Sequence, residues 1–148
     1  MLSARGKYGL KALIHLAENQ GAGGISGAAI AEAQQIPKKF LDTILLELKN
    51  KGLVHSKKGK GGGYSLARPV DKISVGHVIR ILDGPLAAIA CASQTAYRPC
   101  SDCADERTCQ VRRLMAEVRD ATAEILDNTT LATLIGPATQ RMIRNYDI

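Results

Sequence analysis

With 148 residues, the chain has room for one packed domain and an extension but not for two large independent domains. Hydrophobic residues at 45% and charged residues at 23% are ordinary globular proportions, which exclude a wholly disordered chain or a fibrous repeat. The net charge of +6 is unevenly placed: residues 1–70 carry 11 Lys and Arg against 4 Asp and Glu, whereas residues 71–148 carry 9 against 10. A basic surface therefore belongs to the N-terminal half. Such a surface gains affinity for nucleic acid because each neutralised phosphate releases condensed counterions. The longest apolar runs, such as 85–92, fall short of the roughly 18 residues that cross a bilayer, and no apolar leader opens the chain. These features predict a cytoplasmic protein that does not engage a membrane.

In chain order, Leu10, Leu13, Ile14 and Ala17 recur at helical spacing over residues 3–19, with Lys7, Lys11 and Glu18 on the other face. The stretch 20–24 ends this helix, and Ser26 is placed to cap a short one through Ala33. A third helix opens with Pro37 in its first turn, carries Phe40, Leu41, Ile44, Leu45 and Leu48 on one face, and stops at Gly52. Two short helices so closely joined form a helix-turn-helix pattern. The period then changes to 2: residues 53–56 and 64–66 read as two strands around a tip containing Lys57, Lys58, Lys60 and a run of glycines. Ser74 caps a helix from Val75 to Leu82, ended by Asp83-Gly84, and residues 85–105 are irregular. A long helix is expected from about Asp105 to Asn128, with the apolar stripe Val111, Leu114, Met115, Val118, Ala121, Ile125 and Leu126. A short helix follows Thr130, and the tail from Gly136 onward is expected to be loosely held.

The predicted fold is mainly α with a small β-hairpin wing: a winged helix-turn-helix over residues 1–84, a cysteine-containing sensor loop over 85–108, and a dimerisation helix with C-terminal tail over 109–148. The long helix must cover its stripe either against the head or against a second copy. The head is poor in aromatic bulk, at 3% aromatic residues and no Trp, so a homodimer is the expected solution.

The second helix of a helix-turn-helix meets the major groove with its N-terminal residues. Here those include Lys38, Lys39, Asp42 and Thr43, whose groups suit guanine acceptors, the cytosine amine and a thymine methyl. Lys57, Lys58 and Lys60 on the hairpin tip, together with Tyr64 at its base, complete the predicted DNA-binding set. Double-stranded DNA with a pseudo-palindromic operator is the expected partner. Neither a phosphate-loop pattern nor a Ser-His-Asp or paired-carboxylate arrangement occurs, so an enzyme is not expected. A protein-interaction or metal-storage module is the competing class, disfavoured by the lysine-rich wing. His15, His55 and His77 read as surface or packing residues.

Residues 36–41, Leu48-x-x-x-Gly52-Leu53-Val54, the run from Lys58 to Ala67 with its glycine-rich wing ending in Tyr64, and Ile73-Ser74-Val75-x-x-Val78-Ile79 resemble the Rrf-type (IscR/NsrR/RirA/CymR-like) winged-helix transcription regulators. The resemblance spans about residues 2–134. It implies a dimeric regulator, here read as a repressor, with a long dimerisation helix and in many members a cysteine-ligated iron-sulfur cluster that changes DNA affinity. By position, Lys39, Asp42 and Thr43 match the family's base-contacting residues, and Lys58 matches its wing arginine, keeping the charge without the planar fork.

All four cysteines, Cys91, Cys100, Cys103 and Cys109, lie within nineteen residues, a clustering that favours metal or redox chemistry over a disulfide framework. Under the resemblance, Cys91, Cys103 and Cys109 align with three cluster ligands. The spacing from Cys91 to Cys103 is about twice the family's, and the family's histidine ligand would fall near Arg112, where there is none, so Cys100 is the candidate fourth metal ligand. Three readings stand side by side: a 2Fe-2S or 4Fe-4S cluster, a cluster-free thiol-disulfide or persulfide switch centred on Cys100-x-x-Cys103, and structural zinc. For Cys91, which follows the apolar run 87–90, an inert buried thiol is a further alternative.

Overall fold

A computed structural model describes residues 2–137. Five helices and a wing precede a short closing helix: α1 (Ala4–Glu18), α2 (Gly27–Gln34), α3 (Lys38–Asn50), β1 (Val54–Lys57), β2 (Gly63–Leu66), α4 (Val75–Asp83), α5 (Gln110–Asp127) and α6 (Leu131–Ile135). Local chemistry accounts for most boundaries. Ser3, Ser26 and Ser74 each accept a hydrogen bond from a backbone N–H in the first turn of the helix they cap. Pro37 is the cap residue of α3 rather than part of its first turn. Gly52 (φ 72°) ends α3 and Gly84 (φ 87°) ends α4, both in the left-handed region that an L side chain resists.

The head is built around α1. Its Gly6, Gly9, Ala12, Leu13, Leu16 and Ala17 form one buried face. A Cβ on Gly9 would lie 2.1 Å from Leu82, so the bare backbone is what allows α4 to pack this close. Leu41, Ile44, Leu45 and Leu48 of α3 are wholly buried, as are Leu53, Ile73 and Val78. Each such side chain contributes about 1.5–3 kcal/mol relative to full exposure. The turn between α2 and α3 places Gln35 at φ 53° and buries Ile36, which fixes the angle at which α3 leaves α2.

Helix α5 begins five residues after the expected start near Asp105, just before the first residue of its apolar stripe. Asp105 accepts from the N–H of Arg107 (3.0 Å), and its carbonyl accepts from the Thr108 hydroxyl (3.1 Å), so this stretch closes as a turn that competes with helix. Cys109 then caps α5, its sulfur accepting from the N–H of Arg112. At the other end the chain returns to the head. Val75 N–H donates to Thr129 O (2.8 Å), Leu131 N–H donates to Ile73 O (3.0 Å), and Leu131 is fully buried in the head's core. The Arg80 guanidinium adds a two-bond clasp to Asp127 (2.5 and 3.0 Å). No residue of α5 itself is buried. Among the described residues, no helix is long and apolar enough to cross a membrane. The reading of the tail from Gly136 falls, beyond Pro137, outside the described residues.

Candidate nucleic-acid interface and cysteine loop

The first turn of α3 lacks a side-chain cap, so its backbone N–H groups stay open to an anion, with the positive end of the helix dipole behind them. Lys38, Lys39 and Thr43 are exposed here and Asp42 is half-exposed. Lys38 Nζ bonds both carboxylate oxygens of Asp42 (2.7 and 2.8 Å), so two of the four predicted readers neutralise each other in the free protein. Thr43 Oγ1 donates to Phe40 O (2.8 Å), which commits its hydroxyl proton and leaves oxygen lone pairs and the methyl for a partner. Phe40 packs edge-on against Tyr8 of α1.

The wing is a two-stranded antiparallel hairpin with Val54 opposite Leu66 and Lys57 opposite Gly63. Lys57, Lys58 and Lys60 are exposed at or beside its tip. Its glycines are required by geometry. Gly59 and Gly61 take φ values of 93° and 74°, and a Cβ on Gly62 would stand 2.2 Å from Lys57 O. Gly63 lies so close to the backbone of Ile25 that any side chain would collide with it. That contact exposes an element the sequence pattern missed: Ile25 N–H donates to Tyr64 O (2.9 Å) and Tyr64 N–H to Ile25 O (2.7 Å). The wing is thereby bonded to the residue preceding the cap of α2, and wing and helix-turn-helix share one anchor. The only local signal for it is a lone β-branched residue between Gly24 and Ser26. Tyr64 is half-buried against the core and so fastens the wing.

Residues 85–109 are irregular apart from a 3-10 turn at Ala90–Ala92, on which Cys91 sits buried. Cys100 is exposed, and its thiol lies 3.6 Å from Cys91 Sγ. Cys103 and Cys109 are half-buried, near enough for Cys109 to raise the Cys103 thiol. The sulfur–sulfur contact is thus Cys91 with Cys100, and Cys103 and Cys109 lie beside them. Beside the expected Cys100-x-x-Cys103 pair, the loop folds back through Arg98 N–H to Ala90 O (3.3 Å) and carries Cys100 over Cys91. Cys91, though buried, is not an isolated thiol. The hydrogen bond and like charge of Cys91 push Cys100 up to about 11, and burial together with Cys109 raises Cys103. Both effects mark crowded sulfurs whose charge a cation would relieve.

Two thiolates on one tetrahedral metal with bonds near 2.3 Å stand about 3.8 Å apart, close to the Cys91–Cys100 separation. Among the described residues, no three donors already surround a single metal position. Cys91 and Cys100 thus already stand at the spacing of two thiolates on one metal.

Two arginines that sequence reasoning did not single out hold this loop. Arg112 Nε donates to Cys91 O (2.8 Å), and Arg119 donates to Ala92 O. They lie seven residues apart on one side of α5. Glu106 faces Arg112 at 4.0 Å and accepts from Tyr97 Oη (2.5 Å), a bond that raises the Tyr97 phenol. Val111, Leu114, Val118 and Ile125 remain 44–61% exposed. Of the histidines, His15 contacts Gln34 (3.3 Å), and His55 and His77 are exposed.

The Rrf2 family model, described as an iron-dependent transcriptional regulator, matches residues 2–137. A putative HTH-type transcriptional regulator, rrf2-like, of Rhodobacter capsulatus is 38% identical over 138 residues, covering 91% of this chain and 92% of the relative. The solved structure of CymR (YrzC), the global cysteine regulator of B. subtilis, superposes with a TM-score of 0.76 at 35% identity, covering 91% of this chain and 95% of that one. T. potens IscR gives 0.73 at 30% identity, covering 91% and 85%. These neighbours share the mainly helical fold with a two-stranded wing.

Proposed function

The chain belongs to the Rrf2 family of transcriptional regulators, and on that footing we propose that it is a homodimeric repressor whose grip on a pseudo-palindromic operator is set by an iron-sulfur cluster on the cysteine loop. DNA-binding regulation, rather than catalysis, is the activity the family carries. In this reading α3 enters the major groove. Lys39 and Thr43 meet base edges, and Lys38 and Asp42 exchange their mutual bond for phosphate and base partners. Lys57, Lys58 and Lys60 follow the backbone or the adjacent minor groove, with Tyr64 holding the wing in place.

The observation that carries the proposal is the two-sidedness of α5. One side grips the backbone of the cysteine turn through Arg112 and Arg119. Another leaves Val111, Leu114, Val118 and Ile125 uncovered, suited to the same stripe of a second protomer. The two recognition helices must then sit about 34 Å apart, one turn of DNA, so a small change in α5 spoils the fit. Cys91, Cys100, Cys103 and Cys109 supply the four thiolates of a cluster, and the approach of Cys91 to Cys100 suits an iron that takes two protein ligands, as in a two-iron cluster. Bound there, a cluster supplies a centre sensitive to oxidants and to iron supply. The chain's own part is to surrender four thiol protons, to hold the Cys91 and Ala92 carbonyls on Arg112 and Arg119, and to pass any shift of that turn to α5.

Anaerobic purification tests this reading. The expected product is coloured, contains about two irons and two sulfides per protomer, and changes its operator affinity when iron is removed. Iron-free, colourless protein that still switches normally would overturn the cluster while leaving the DNA-binding assignment intact.

A further inference from the structure

Cys91 and Cys100 stand 3.6 Å apart, sulfur to sulfur, and the fold has already done the work of bringing them together. Residues 90–98 are closed by Arg98 N–H on Ala90 O, Ser93 N–H on Ala90 O (3.1 Å) and Ala96 N–H on Ser93 Oγ (3.0 Å). The loop-closure entropy that normally opposes a new cross-link is therefore largely spent before any bond forms. The two thiols also differ in a useful way. Cys100 is exposed and open to a small oxidant, whereas Cys91 is buried, with its carbonyl held by Arg112.

We propose that, when the loop holds no metal, Cys91 and Cys100 act as a hydroperoxide-oxidisable pair, with Cys100 as the sulfur that is oxidised and Cys91 as the one that resolves it. In the first step the Cys100 sulfur, reacting as its thiolate and so faster as pH rises toward its raised range, takes one peroxide oxygen and becomes a sulfenic acid, and the rest of the hydrogen peroxide leaves as water with the thiol proton. In the second, the Cys91 sulfur attacks Cys100 Sγ, the S–O bond breaks, and the oxygen leaves with the Cys91 proton as a second water. Two thiols are oxidised to one disulfide and one peroxide is reduced to two waters. The sulfurs must close from 3.6 Å to about 2.05 Å. Because the Cys91 backbone is clasped by α5, the exposed Cys100 segment is the part that moves. This chemistry needs no cluster, so it stands or falls separately from the iron content of the purified protein. It deepens the assignment of the loop as the regulator's sensing element.

Peptide mapping of the full chain gives a direct test, because the aspartates fall at convenient places. Cleavage before Asp83, Asp102, Asp105 and Asp120 puts Cys91 and Cys100 together in fragment 83–101, Cys103 in 102–104 and Cys109 in 105–119. Chelator-treated protein is exposed to hydrogen peroxide, blocked with N-ethylmaleimide while denatured, and digested without reductant. The expected result is fragment 83–101 two hydrogens lighter than its reduced form and free of maleimide. Cys103→Ser should leave that fragment unchanged, and Cys100→Ser should restore a maleimide on Cys91. Fragment 83–101 carrying two maleimides, or joined to 102–104 or 105–119, would overturn the proposal. So would loss of the internal bond in Cys103→Ser.

Discussion

Helices α3 and α5 are both amphipathic, yet they finish their apolar faces differently. Leu41, Ile44, Leu45 and Leu48 of α3 disappear into the head, whereas α5 buries none of its residues and leaves Val111, Leu114, Val118 and Ile125 largely open. Polar clasps hold α5 at both ends, Arg112 and Arg119 on the cysteine turn and Arg80 with Asp127, while Met115 and Leu126 are half-buried between them. An apolar stripe therefore specifies that something must cover it, but not what. Helix α5 thus keeps one apolar face uncovered, which α3 does not. Such a face is what the proposed pairing of two protomers calls for.

The contrast can be broken by substitution. Leu48→Ala should cost about 2–5 kcal/mol in denaturant unfolding, since it opens a cavity in a closed core. Leu114→Ala, measured at concentrations where protomers are separate, should change stability by no more than about 0.5 kcal/mol. Equal costs at every concentration would mean that α5 is covered within one chain. Val118→Glu would place two like charges in the proposed apolar contact. Light scattering should then report single protomers, and affinity for a palindromic duplex should fall by more than about tenfold, an effect above 1.4 kcal/mol; a surviving dimer would move the interface elsewhere.

Within the head, Thr43→Ala should alter base preference at one operator position by about 1–3 kcal/mol. Lys58→Ala should weaken all sequences alike and lower the salt slope by about 1. Identical specificity profiles for these two variants would remove the division of labour between α3 and the wing.

The smallest effect expected is at the Arg80–Asp127 clasp. The Arg80 bond, with a smaller charge contribution, lowers the Asp127 carboxyl below its ordinary range and raises the guanidinium. The ionised carboxylate is thus favoured by the fold. Its contribution is in place above about pH 3.9, the ordinary aspartate value, and is lost as pH falls through the lowered folded value. Both side chains are over a third exposed, so this amounts to about 0–1 kcal/mol. Asp127→Asn should flatten that acid limb in melts recorded from neutral pH downward. An unchanged limb would show that the backbone bonds at Thr129 and Leu131 hold the junction without the ion pair.

Local chemistry was written legibly into the chain. The serine caps, the glycine stops, the period change at the wing and the buried face of α3 follow from residues within a turn of one another, so they can be read without knowing where the rest of the chain lies. The lysine-rich surfaces of helix and wing are legible for the same reason. Everything that joins distant residues was not. The Ile25–Tyr64 bridge, the Cys91–Cys100 approach, the arginines that hold the cysteine turn and the return of Leu131 to the head depend on the direction in which each segment leaves the last. The start of α5 is different: it was decided locally, by the turn that Asp105 closes with Arg107 and Thr108 before Cys109 caps the helix. Composition and spacing determined which parts this regulator has; only packing in three dimensions decided which thiols meet and which helix stays uncovered.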